Sequence, residues 1–179
     1  MNILSNDIFF TLAMKRLVHD INNDAIILDC GSEIGYFFII NKKLLSDLGD
    51  LEPVNALFSC KGNMTLRKSP LPLLHRNLFE SKSLGTESSI LTCFEQCVIA
   101  CIINGMSQED TAAECNFSKK SVSRLKRNAM KKLGFESNSK FYLMLSFWCQ
   151  VFPQLLEYGI KENSTAFIVR DKFYASLFS

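Results

Sequence analysis

The sequence is poor in the groups that enzymes use. Its two histidines, His19 and His75, stand far apart and read as surface or boundary residues with no metal role. No glycine-rich phosphate loop, nucleophile elbow or usefully spaced carboxylate pair is present, so an enzyme reading has no residues to stand on. Net charge is small: 20 basic against 18 acidic side chains leave +2, which by itself predicts no polyanionic partner. No apolar run approaches the ~18–20 residues that a membrane span needs. The N-terminal stretch holds Asp7 and Asp20 and lacks a basic start followed by an apolar run, which argues against a secretory signal. Seven cysteines without disulfide-style clustering, one of them odd, fit a reducing cytoplasm. Repeats and low-complexity stretches are absent. A hydrophobic share of 47% with 21% charged residues excludes wholesale disorder, and 179 residues suffice for one domain or two small ones.

Short apolar runs bounded by polar turns mark residues 1–80. Segment 2–10 reads as a strand leading into a helix. Segments 25–29 (AIILD) and 35–41 (GYFFIIN) read as buried strands, 42–48 as a short helix, and 54–60 (VNALFSC) as a third strand. This alternation predicts a small α/β domain with some parallel pairing. Two prolines in 69–74 exclude helix interior and close the domain, and the small polar residues of 81–90 read as a linker.

From Leu91 onward the spacing turns helical, through Leu91, Glu95, Val98, Ile99 and Ile102 to a stop at Gly105. Ser107 is an N-cap with Asp110 as its acidic partner, opening a short helix from Gln108 to about Cys115. Ser118 caps a third helix, Lys119–Leu133, which Gly134 stops. A fourth runs from about Ser139 to Gln150 and stops near Pro153. The helical domain is thus 91–151. An extension, 152–179, reads as a helix followed by a strand-like run at 166–169.

Charge is concentrated in the third helix. Lys119, Lys120, Arg124, Lys126, Arg127, Lys131 and Lys132 fall between Phe117 and Gly134 with no acid among them. Such a block is a fingerprint of a nucleic-acid or membrane-surface contact, and a merely solvated helix face rarely lacks compensating acids. Val122, Leu125, Ala129 and Leu133 form an inner apolar face, and Lys120, Arg124, Arg127 and Lys131 an outer basic one. A short helix, a tight turn and a longer basic helix make a helix-turn-helix, which presents donors to the major groove.

Residues 91–141 resemble the LuxR-type (NarL/FixJ-like) helix-turn-helix. Leu91, Thr92, Glu95, Val98, Ile99, Gly105, Ser107, Asp110, Ala112, Ser118, Ser121, Val122, Asn128, Lys132 and Leu133 carry the resemblance in order and without a gap. Phe94, Thr111, Cys115 and Leu125 depart from it, standing where the family has arginine, an aliphatic, leucine and histidine. The resemblance implies an all-α four-helix domain in which Ser123, Arg124 and Arg127 read bases. It places Ser118, Lys119, Ser121 and Lys131 near phosphates, and Lys120 and Asn128 are counted with them. It further implies a bacterial, cytoplasmic transcription regulator, an activator that binds double-stranded DNA. RNA polymerase would be a further partner, and no cofactor or membrane is involved. The run SKKSVSRLKRN is most similar in style to RcsA-like enterobacterial auxiliary regulators, some of which act with a partner response regulator. A protein-interaction adaptor that heterodimerises with such a regulator is the alternative. A sigma-like region is disfavoured by the missing upstream helices.

With this resemblance in view, residues 1–80 read as a degenerate, shortened receiver-like domain. A receiver needs an acidic pair to hold Mg²⁺ against the phosphoryl group. Ser5-Asn6-Asp7 offers one acid, and Asp29 ends a strand too early. Asp7 and Asp29 are expected to be structural, and regulation to be independent of phosphorylation. The fourth helix (KFYLMLSFWCQV) is apolar nearly all round, whereas a terminal helix should show a polar face. Phe141, Leu145 and Trp148 are therefore expected to join two chains, as a homodimer or with a related response regulator. The competing reading has the C-terminal tail cover them. Cys93, Cys97 and Cys101 share one helix face but cannot close a tetrahedral zinc site, so small apolar packing is expected and no metal. Redox sensing is a distant second.

Overall fold

The computed structural model describes residues 2–18, 25–79 and 91–161. Four strands form one sheet in sequential order: β1 (Asn2–Leu4), β2 (Ala25–Asp29), β3 (Tyr36–Asn41) and β4 (Met64–Leu66). β1 lies parallel to β2, with Ile3 opposite Ile27, and the pairs β2–β3 and β3–β4 are antiparallel. Alternating side chains divide between the two faces. Ile27 and Phe37 meet α1 (Ile8–Leu17) and α4 (Leu71–Phe79) through Met14 and Leu74. Leu4, Ile26, Leu28, Phe38 and Ile40 point into the larger core. That core also takes α2 (Lys42–Leu48), α3 (Pro53–Ser59) and α8 (Asn138–Lys161). α5 (Cys93–Ile103), α6 (Gln108–Glu114) and α7 (Lys119–Leu133) pack on one another, and Ile99, Ala129, Met130 and Leu133 join the same core.

The sheet corrects the receiver-like expectation. A receiver's doubly wound sheet follows the order 2-1-3-4-5 with parallel strands. Here the order is sequential and one pair alone is parallel. Segment 54–60 is also corrected, from strand to helix. Pro53 at the first helical position presets the helical φ, and a short apolar run cannot by itself distinguish the two states. Pro70 and Pro72 flank the start of α4, where a missing N–H costs nothing, so they open a helix in a stretch from which the prolines were expected to exclude one. The expected linker, the 166–169 run and His19 lie outside the described residues, as does the side chain of His75.

The fourth helix of the C-terminal helical half carries the largest correction. Phe141, Leu145 and Trp148 are 0%, 2% and 0% exposed, inside the chain's own core. The Trp148 ring lies 4.8 Å from that of Phe38 on β3, and its Nε1 donates to the Pro53 carbonyl at 2.7 Å. α8 packs on α3 and α2, so these residues join the two halves of one chain and are not open to a second. Nor does α8 stop near Pro153, which sits inside it on the exposed side. An interior proline costs about 3 kcal/mol. Burial of Phe152, Leu155 and Tyr158, each about 1.5–3 kcal/mol, offsets that.

Candidate nucleic-acid interface

Local capping builds the three-helix unit. Thr92 caps α5 in a full capping box: its Oγ1 accepts from the Glu95 amide, and the Glu95 carboxylate accepts from the Thr92 amide at 2.8 Å. Lys132 of α7 closes on the same carboxylate at 2.6 Å, tying α5 to α7. Burial by itself would raise the Glu95 carboxyl, but the hydrogen bonds from Lys132 and Thr92 outweigh it and hold the group below the usual carboxylate range. Ser107 caps α6 and Ser118 caps α7, accepting from the amides of Asp110 and Ser121 at 3.1 Å each. Between the helices Asn116 takes a left-handed φ of 53°, and the Phe117 amide donates back to the Ala112 carbonyl at 2.8 Å. Gly134 ends α7 at φ 83°, a conformation that favours glycine.

The orientation of α7 follows from its buried side. Val122, Ala129, Met130 and Leu133 are buried and Leu125 is half-buried. Val122 packs with Val98 of α5 and Ala112 of α6 in a satellite core. The opposite side exposes Lys119, Lys120, Arg124, Arg127, Asn128 and Lys131. Lys120, Arg124, Arg127 and Lys131 recur at steps of four, three and four and so form one stripe.

The seven-charge block therefore divides. Lys132 is committed to Glu95, and the Lys126 ammonium lies 5.6 Å from the centre of the Tyr142 ring. Among the expected phosphate contacts, Lys119 pairs with Glu109 at 2.6 Å, both of them exposed. Ser118 and Ser121 face each other at 3.0 Å, with the Ser118 hydroxyl engaged as the cap. Of the expected base readers, Arg124 and Arg127 are exposed. The Ser123 hydroxyl is half-buried and accepts from Gln108 Nε2 at 3.0 Å. Gln108 also donates to the Lys119 carbonyl at 2.9 Å and so staples α6 to the start of α7. Sequence reasoning missed Gln108, because nothing local marks a side chain that bonds eleven and fifteen residues ahead.

Two departures noted in the sequence have structural consequences. Thr111 is 0% exposed, and its hydroxyl has no partner among the described residues. Cys115 is joined to Cys97 by a disulfide between α6 and α5, with Cys101 beside them, which corrects the reading of the cysteines as packing alone. Cys93 is exposed.

The N-terminal acids are brought together. Arg67, following β4, reaches Asp7 at 2.6 Å and Asp29 at 3.3 Å, and stacks over Phe10 at 4.6 Å. Ser5 donates to Asp29, which is buried and also accepts from the Gly31 amide at 3.1 Å. The Phe10 amide and the Arg67 guanidinium hold the Asp7 carboxyl below its usual range.

Residues 89–145, about a third of the chain, match the family model for bacterial regulatory proteins of the luxR family. Searches of curated proteins and of solved structures each return no match. The segment is a LuxR-family helix-turn-helix domain, the DNA-binding domain of transcription regulators. No helix among the described residues is long and apolar enough to cross a membrane.

Proposed function

We propose that the chain is a sequence-specific regulator of transcription that enters the DNA major groove with α7. The observation that carries this reading is the exposed stripe of Lys120, Arg124, Arg127 and Lys131 opposite the buried side of the helix. In this reading Ser123, Arg124 and Arg127 meet base edges, arginine pairing with guanine. Ser118, Lys119, Lys120, Ser121, Asn128 and Lys131 lie on phosphates, which position without specifying. Lys119 leaves Glu109 at little cost, since an exposed pair is worth about 0–1 kcal/mol. The Ser123 hydroxyl keeps its own proton to donate while accepting from Gln108. By style the chain stands with RcsA-like auxiliary regulators.

Independence from phosphorylation is supported by Arg67, whose guanidinium pairs with both Asp7 and Asp29. A phosphorylation site needs those carboxylates for Mg²⁺. Intact mass after treatment with acetyl phosphate should be unchanged. An adduct that disappears in Asp29→Asn would restore a receiver mechanism.

One recognition helix reads few base pairs, and discrimination of about 10³ or more over non-specific DNA needs two half-sites. We therefore take the active species to be a dimer, with itself or with a related response regulator, formed through a surface other than Phe141, Leu145 and Trp148. Selection of bound duplexes from a random pool, followed by anisotropy titration and sedimentation on the selected site, tests the whole reading. Enrichment of a two-part motif and a two-chain complex are expected. A pool that emerges without sequence preference would refute specific recognition and favour the adaptor.

A further inference from the structure

Cys97 and Cys101, one turn apart on α5, meet Cys115 at the C-terminal cap of α6, and the three sulfurs lie within 4.8 Å of one another. Cys101 is buried, and its Sγ is 3.7 Å from that of Cys115. Three thiolates around one ion, each at a metal–sulfur distance of about 2.3 Å, stand about 4.0 Å apart in a trigonal plane. The Cys101 and Cys115 sulfurs already stand at 3.7 Å, and reduction of the disulfide frees Cys97 to move off Cys115 toward the same separation. We propose that, once the Cys97–Cys115 disulfide is reduced, Cys97, Cys101 and Cys115 bind one soft monovalent cation of the Cu(I) class. No other histidine, cysteine or carboxylate joins this group among the described residues. Zinc and iron–sulfur clusters take four protein ligands in structural sites, so a three-sulfur set suits them poorly. Soft thiolates in a three-coordinate set select Cu(I).

The chemistry balances in two steps. A dithiol reductant closes to its own disulfide and delivers two electrons and two protons, leaving Cys97 and Cys115 as thiols. Cu(I) then displaces the three thiol protons to solvent, with no change in its oxidation state. The bound ion would tie α5 to the end of α6, immediately before the turn into α7, without touching the exposed basic stripe. Cys115 packs there beside Phe117 and Leu125, so the site borders the core that sets the angle of α7.

The test uses the full chain, reduced under anaerobic conditions and given Cu(I) against a competing chromophoric chelator. One Cu(I) per chain is expected, with sulfur-to-copper ultraviolet absorption. Cys97→Ala, Cys101→Ala and Cys115→Ala should each weaken retention more than about 100-fold, beyond what loss of a supporting group costs. Cys93→Ala, exposed on the same helix face, should match wild type. Equal loss in Cys93→Ala, or wild-type retention no better than in Cys101→Ala, would overturn the site. A second measurement avoids variants altogether. Cu(I) should protect Cys97 and Cys115 of the reduced wild-type chain from alkylation and leave the exposed Cys93 open, whereas Cys101 is buried and Cys149 is half-buried with its thiol pushed up, so neither is used as a readout. Burial already keeps Cys30 and Cys60 protonated and slow to react, pushing the Cys60 thiol up to about 12. Protection at Cys93 instead, or at neither Cys97 nor Cys115, would refute the proposal.

Discussion

Replacing Trp148 by alanine should unfold both halves of the chain together. The side chain is fully buried, its ring faces Phe38 on the sheet and stacks on Phe152 at 5.4 Å, and its N–H serves the Pro53 carbonyl. Removal of a buried tryptophan costs about 3–5 kcal/mol through lost transfer energy and the cavity left behind. The orphaned Pro53 carbonyl adds about 1 kcal/mol or more. The sum, about 4–6 kcal/mol, is comparable to the whole stability of a small domain. Trp148→Phe keeps most of the ring and loses the donor, so it should cost about 1–3 kcal/mol. The assay is urea unfolding followed by far-ultraviolet circular dichroism. Trp148 is the chain's one tryptophan, so in wild type its fluorescence reports the junction alone. The two probes should give coincident transitions, because one core includes Leu28 and Phe38 of the sheet together with Ile99 and Leu133 of the DNA-binding half. Two separate transitions, with the helical one unmoved by Trp148→Ala, would refute the shared core.

Arg124→Ala and Arg127→Ala should each cost about 1–3 kcal/mol on the selected site and little on random duplexes. Lys131→Ala should weaken both alike and lower the salt slope by about one, and identical behaviour of arginine and lysine variants in anisotropy titrations would disprove the assignment of roles. Thr111→Val removes a buried hydroxyl that has no partner and keeps the shape, so urea titration should show a gain of about 1 kcal/mol. Glu95 is held below its unfolded value, so its contribution is complete above the usual carboxylate range and is lost as pH falls through the depressed value. Glu95→Gln should be less stable than wild type at neutral pH and approach it in acid, and a constant gap between the two across that range of pH-resolved melts would contradict the Lys132 pairing.

What the sequence disclosed and what it concealed divide along one physical line. The caps Thr92, Ser107 and Ser118 and the stop at Gly134 act on amides and carbonyls within a few residues, so the helices they bound were readable in place. The apolar face of α7 was readable for the same reason, although Met130 takes a core position that the spacing assigned to Leu125. Segment 54–60 failed because four successive buried residues, Ala56, Leu57, Phe58 and Ser59, erase the period that tells a helix from a strand. Arg67 with Asp7 and Asp29, Gln108 with Ser123, and Cys97 with Cys115 are pairings across elements, on which local pattern is silent.

The apolar fourth helix shows how such a pattern misleads. A helix without a polar face states that something must cover it, not what does. With residues 91–141 resembling a known domain and a short α/β segment in front, the pattern allows a second chain or the C-terminal tail as the cover. The sheet half, however, has its own debt: Leu28, Phe38 and Ile40 need a layer that α2 and α3, seven residues each, are too short to provide alone. α8 meets that need along its length, from Phe141 to Tyr158, which is also why it runs on past Pro153. Its apolar surface is thus shared by the two halves of one molecule. A change at the sheet face of the N-terminal half therefore has two ways to α7: through α8, at the packing that Trp148 anchors, and through Tyr36 of β3, whose ring lies 5.1 Å from that of Phe135 just past α7.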